Sequence, residues 1–171
     1  MVYNIVKYGD PILEKPCDPI SQFDTPELHQ LVSDMFETMY AHKGVGLAAP
    51  QIGVSQRLTV IDCSAGEDPE QRLVFINPEI VSRDGAQVGE EGCLSIPGFR
   101  EEVKRAKQVR ARALNAKGDE FEITAEDLLA RALQHETDHL NGVLFLSHLS
   151  MLKRDLIRRK IRKLMKAGEW K

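Results

Sequence analysis

The 171 residues carry 42% hydrophobic and 29% charged side chains at a formal net charge of −3, the balance of an ordinary soluble protein. That length suits a single domain over residues 1–171 with a substantial core, and the slight negative charge argues against a DNA-binding role for the chain as a whole. No apolar run reaches the roughly 20 residues of a membrane span, no secretory leader pattern opens the chain, and three cysteines do not make a disulfide framework, so a cytoplasmic protein is expected.

Residues 1–24, punctuated by Gly9, Pro11, Pro16 and Pro19, predict an irregular wrap with one short helical turn. Asp24-Thr25-Pro26-Glu27 is a helix start, and Leu28, Leu31, Val32, Met35 and Met39 recur at three and four residues, so a helix is predicted to about His42. His29 reads as a surface histidine and His42 as a partner for the helix dipole. Next comes Gly44-Val45-Gly46-Leu47-Ala48-Ala49-Pro50-Gln51-Ile52-Gly53, which is neither helix-periodic nor strand-alternating. It reads either as a tight turn of small packing residues or as a backbone surface pressed against a ligand, with the Gln51 amide as donor.

Residues 57–63 and 73–77 predict two buried strands, with a short third near Ile80-Val81. Gly89-Glu90-Glu91-Gly92-Cys93-Leu94-Ser95-Ile96-Pro97-Gly98 follows, where glycine and serine neighbours leave the Cys93 thiol approachable; Cys17 reads as an ordinary free thiol and Cys63, at a strand end, as a packing residue. Residues 108–114 and 120–123, joined through Asn115-Ala116-Lys117-Gly118-Asp119, predict a β-hairpin. Thr124-Ala125-Glu126-Asp127 is expected to cap a helix whose apolar face holds Leu128, Leu129, Ala132, Leu133 and Leu140, closed by Asn141-Gly142. His148 is read as structural or exposed. A last helix, over 149–167, is predicted to dock through Leu149, Leu152, Leu156, Ile161, Leu164 and Met165.

Inside the second of these helices lies His135-Glu136-Thr137-Asp138-His139. Histidines four apart share one helical face and can grip a single metal ion, with the adjacent glutamate placed as general base for a hydrolytic water. A catalytic site of this type needs a third protein ligand. Phe145 occupies the position where the long zinc-protease motif has its third histidine, and the only glutamate after His139 is Glu169 in the tail, so Cys93 is the best candidate. One thiolate with two imidazoles suits zinc, iron, cobalt or nickel.

The stretches 44–53, 91–95 and 134–142, in this order and with a cysteine in the middle one, resemble the three motifs of the peptide deformylase family, and the match runs over nearly the whole chain. The resemblance implies an α+β fold with small mixed or antiparallel sheets around the central metal-binding helix, an N-terminal helix and a C-terminal amphipathic helix. It implies removal of the formyl group from the formyl-methionine of newly made chains. Cys93, His135 and His139 would hold Fe(2+), one ion per chain, with zinc, nickel or cobalt as substitutes. Glu136 would act as general base and then acid, while the Gln51 amide and the Leu94 backbone N–H meet the developing oxyanion. Gly46 would pair with the substrate backbone, Val45, Ile96, Leu128 and Ala132 would line the methionine pocket, and Arg100, with Arg131 as a second candidate, would stand at its edge. Asp138 is read as a partner of Arg105 or of a ligand histidine, or as a solvent-facing acid. Thr137 and Ala106 depart from the residues common in the family and bear only on local packing.

Two rivals follow from the same residues: a peptidase or other amidase on the same three ligands, and a non-catalytic metal or ribosome-binding protein. The last helix carries Lys153, Arg154, Arg158, Arg159, Lys160, Arg162, Lys163 and Lys166. Its basic face reads as a solvated surface or as a contact for ribosomal RNA phosphates.

Overall fold

The computed structural model describes all residues, 1–171. Seven consecutive strands lie between the first and second of three α-helices: α1 (Pro26–Ala41), β1 (Gly46–Ala48), β2 (Leu58–Ile61), β3 (Leu73–Asp84), β4 (Gln87–Cys93), β5 (Ile96–Arg105), β6 (Gln108–Leu114), β7 (Glu120–Glu126), α2 (Asp127–Leu140) and α3 (Met151–Lys166). An antiparallel sheet in the order β1-β2-β3-β6-β7 and a separate β4-β5 hairpin make up the β structure. The α+β expectation, with antiparallel sheets around a central helix, is met.

The larger sheet is covered on both faces at β2, which explains why that strand reads as an unbroken apolar run, while β6 and β7 keep one face exposed. Leu58, Val60 and Ile76 point to one face and pack with Met35, Phe36 and Met39 of α1. Ile61 and Phe75 point to the other and pack with Ala130, Ala132 and Leu133 of α2. Strand alternation thus sorts neighbouring side chains into two cores. A third cluster joins Ile96 and Val103 of the hairpin to Leu144, Phe145, Leu146 and Leu149 and to Ile157 and Ile161 of α3. Trp170 Nε1 donates to the Tyr8 carbonyl at 2.9 Å and ties the end of the chain to the N-terminal wrap. No helix is long and apolar enough to cross a membrane.

Local chemistry fixes the helix ends. The Thr25 hydroxyl accepts the Leu28 N–H at 3.1 Å and starts α1. The short turn expected in the wrap is a 3₁₀ segment at Pro11–Glu14, started by Asp10. Gly142 ends α2 at φ +77°, and a Cβ there would lie 2.8 Å from a backbone atom of Glu14, so the wrap passes directly over the helix end.

The structure departs from the sequence reading in five places. Residues 46–48 form a strand, too short and too rich in small residues to show alternation, followed by a 3₁₀ turn at Ala49–Ile52. β3 runs unbroken through what reads as two strands. Its register shifts around Pro78, which lacks a ladder N–H, and after Ile80. β4 and β5 occupy most of the glycine-rich stretch around Cys93, whose alternation is hidden because charged and glycine positions face the site. Thr124 caps nothing: β7 continues to Glu126, paired with Gln108, so the ladder takes the residues expected at the cap. Finally, α3 docks through Ile157 and Ile161, while Leu152 is 71% and Leu156 47% exposed. Leu149 precedes the helix as the end of a 3₁₀ turn, so the row 149/152/156 is not a docking face.

Gly142→Ala combines a left-handed backbone with a backbone clash and is expected to cost about 2 kcal/mol or more, roughly 4–8 °C in Tm. Thermal unfolding of the variant checks this; an unchanged Tm would show that the wrap does not press on the helix end.

Candidate active site

Three separated pieces of chain converge on one face of α2. The helix brings His135 and His139 to 5.0 Å between ring centroids, and Phe145 lies nearly parallel to the His135 ring at 6.2 Å. The phenylalanine that excluded the longer protease motif therefore serves as a wall for the first histidine. Cys93 ends β4 just where the pairing register shifts, which turns its thiol toward the helix; Sγ stands 3.3 Å from His139 Nε2. The donor atoms of Cys93, His135 and His139 all lie within 4.8 Å of one another, close enough to surround one cation.

Gln51 comes from the 3₁₀ turn after β1 and is buried. Its Oε1 accepts the Ala48 N–H at 3.0 Å, which directs Nε2 toward Cys93 Sγ at 3.5 Å and Ser95 Oγ at 3.2 Å. Gly46 in β1 passes so close to the helix that a Cβ on it would sit 2.6 Å from Glu136 Oε2. Only glycine allows the strand to lie against that carboxylate. Burial pushes Glu136 up to about 7.

A cleft of about 910 Å³ opens beside these groups. It is lined by Val45, Gly46, Gln51, Cys93, Leu94, Ile96, Arg100, Leu128, Ala132, His135 and Glu136, that is, by every expected site residue except His139, which is buried behind it. Leu128 was expected on the apolar face of α2 as well as in the pocket; it is half exposed at the cleft and adds nothing to the core. Arg100 is exposed and paired with Glu90 at 3.0 Å. Of the other histidines, His29 is exposed beside Asp24 and His42 ends α1 at the cleft.

The residue that the sequence reading passed over is Glu91. Its carboxylate accepts from Arg105 Nε and Nη2, both at 2.9 Å, from Arg131 Nη1 and from His135 Nδ1 at 2.9 Å. Burial alone would raise its pKa, yet the bonds from His135 and Arg105 outweigh that and hold the carboxyl well below the usual glutamate range. Arg131 lines the cleft, as expected, but is largely buried there and also donates to the Val103 carbonyl at 3.0 Å. Asp138 accepts from Arg105 Nη1 at 2.7 Å and from His148 Nε2 at 2.9 Å, which settles its partner as Arg105 and gives His148 a structural contact. The signal for Glu91 was its spacing: two residues before Cys93 in a strand puts both on one face.

The donor set fits a cation. One sulfur and two ring nitrogens, two of the three residues buried, face one another, and the buried Glu136 Oε1 beside them has no hydrogen-bond partner within the protein. Such a set next to a buried carboxylate in a cleft defines a metal-dependent hydrolase. A family model for polypeptide deformylase matches residues 2–155. A peptide deformylase from Acidobacterium capsulatum is 58% identical over 170 residues, spanning 99% of both chains. The crystal structure of one from Legionella pneumophila superimposes with a TM-score of 0.90 at 49% identity, covering 100% of this chain and 99% of that one. That from Thermus thermophilus gives 0.88 at 41% identity over 98% of each chain. The chain belongs to the polypeptide deformylase family, metal-dependent enzymes that hydrolyse the formyl group from the N-terminal formyl-methionine of new proteins.

Replacing Glu91 with Gln keeps its shape and removes the charge that three groups share. The Glu91→Gln protein is expected to bind metal about 10–100-fold more weakly and to lose about 3 kcal/mol of stability near neutral pH. Because the carboxyl titrates lower in the fold than in the unfolded chain, its contribution is complete above the ordinary value of 4.5 and is lost as pH falls from there toward the folded value. Urea midpoints of the two proteins should therefore converge from about pH 7 to about pH 3. A constant gap would contradict the assignment.

Proposed function

We propose that the chain removes formyl from formyl-methionyl peptides with Cys93, His135 and His139 as metal ligands and Glu136 as the proton carrier. The observation that carries this reading is the buried Glu136 carboxylate, held between β1 and the three-donor set at the wall of the cleft. A metal ion in that set supplies Lewis acidity, polarising the formyl carbonyl and making water acidic enough to give up a proton near neutral pH. Glu136 takes that proton as the water oxygen bonds to the formyl carbon. The developing oxyanion is met by Gln51 Nε2, already aimed by its bond to Ala48, and by the Leu94 N–H in the turn after Cys93. As the carbon–nitrogen bond breaks, Glu136 passes its proton to the leaving amine, and formate and a free N-terminus result. A carboxyl near 7 suits both halves of this cycle.

Recognition is read as sequence-blind along the backbone. β1 ends its sheet and β4 has a neighbour on one side only, and both border the cleft, so an extended peptide can pair at Gly46. Val45, Ile96, Leu128 and Ala132 supply the apolar wall for the methionine side chain. Ferrous iron is proposed as the native ion, one per chain, because the chain belongs to the deformylase family; the mixed thiolate and imidazole donors suit it and equally suit zinc, nickel or cobalt as replacements. The proposed place of action is the cytoplasm, where new chains emerge.

Anaerobic purification with metal analysis, followed by deformylation of formyl-Met-Ala-Ser, tests the whole reading. Glu136→Gln is expected to retain its metal and lose about 10²–10⁴-fold in kcat; a metal-replete variant with near-normal kcat would refute the role of Glu136.

We also propose that the basic face of α3 meets the ribosome. Its support is that Arg159, Lys160, Arg162, Lys163 and Lys166 are exposed while Ile157 and Ile161 anchor the helix. Truncation would cut into the core, so the proper test neutralises these five to Gln. Ribosome affinity at low salt should fall with deformylation unchanged, and unaltered affinity would end the idea.

A further inference from the structure

Behind the active site lies a second cavity, of about 380 Å³, which shares no lining residue with the substrate cleft. Of its nine lining residues only Ala86 and Ala106 are hydrophobic, and most of the others carry polar or charged ends on aliphatic stems. Three cationic side chains border it, Arg83, Lys104 and Arg105, against one acid, Asp138. That acid is already engaged, since its Oδ2 accepts from both Arg105 Nη1 and His148 Nε2. Arg105 is buried and committed to Glu91 and Asp138, whereas Arg83 and Lys104 are exposed and form no ion pair. Two free cations thus flank a pocket with a buried cation at its back and no unengaged carboxylate in its wall. The volume accommodates a group the size of a phosphate.

We propose that this cavity is a phosphate-binding site, with the Arg83 guanidinium and the Lys104 ammonium gripping the oxygens and the charge of Arg105 behind them. A free phosphate ion and the phosphate of a nucleotide or of RNA present the same chemistry. The site is linked to the metal set through Arg105, Glu91 and His135, but binding there is independent of the deformylation reading.

The test is titration of the zinc-loaded protein with inorganic phosphate, followed by the NMR signals of the His148 ring, against sodium chloride of equal ionic strength. Saturable shifts with phosphate and none with chloride are expected. The Arg83→Ala/Lys104→Ala protein should bind at least about tenfold more weakly, and Arg83→Lys/Lys104→Arg should recover most of the affinity, with phosphate-free deformylation unchanged in both. Binding that survives in the alanine protein lies at the metal or elsewhere and overturns the proposal, as does the absence of shifts at His148. Parallel titrations with adenosine monophosphate and a short oligoribonucleotide identify the source: tighter binding than inorganic phosphate points to a nucleotide or RNA, equal binding to the free ion.

Discussion

One buried carboxylate holds the site together. Glu91 receives hydrogen bonds from two arginines and a histidine, and those three come from β5 and from two successive turns of α2. A lone buried anion would be untenable, and so would two buried guanidinium groups; each is tolerable only because the others are there. The set is closed on the far side by Asp138 and His148. Its effect is to fix the hairpin to the helix and, through Nδ1, to fix the ring of His135 so that Nε2 is the atom presented to a metal. His139 has no such brace: its Nδ1 is buried without a partner, and burial and the neighbouring His135 hold its pKa well below the ordinary value. The two histidines of the motif are therefore held by different means, one by a charged bond and one by packing.

The rest of the fold supplies the other two walls. The larger sheet carries β1 as its last strand, and α2 crosses the face opposite α1, so a backbone made of small residues is pressed onto the helix surface at Glu136. The hairpin carries Cys93 in from the other side. Cys93, the histidine pair with Glu136, and Gln51 thus sit on three elements whose mutual positions are set by separate cores, which is the support that a precisely arranged site requires.

Where the chain's own packing dictated the pattern, the sequence was readable. α1, β2, the β6-β7 hairpin and α2 all bury side chains at regular spacing, and the helical pair of histidines pointed straight to the metal set. β1 was opaque because it is three residues long and made mostly of small ones, and β4 because Gly89, Glu91 and Gly92 answer to Arg131, Arg100 and the site rather than to a core. Missing β4 concealed Glu91, since only in a strand does the interval from Glu91 to Cys93 mean a shared face. The helix α3 was legible as an element, but its docking face was misread for another reason. It carries two apolar rows nearly side by side, 152/156 and 157/161, and the choice between them was made by Leu144, Phe145 and Leu146, far from any signal within the helix itself.

The unpaired sides of β1 and β4 have a consequence for how the molecule lives among its neighbours. Exposed strand edges ordinarily invite other sheets to join them. Here both edges border a recess walled by α2 and the hairpin rather than an open flat surface. On the proposed reading, the groups left open along β1 and β4 would be reached by a flexible chain end more readily than by a folded sheet, and the aggregation risk of two bare edges would be lowered by the recess that holds them.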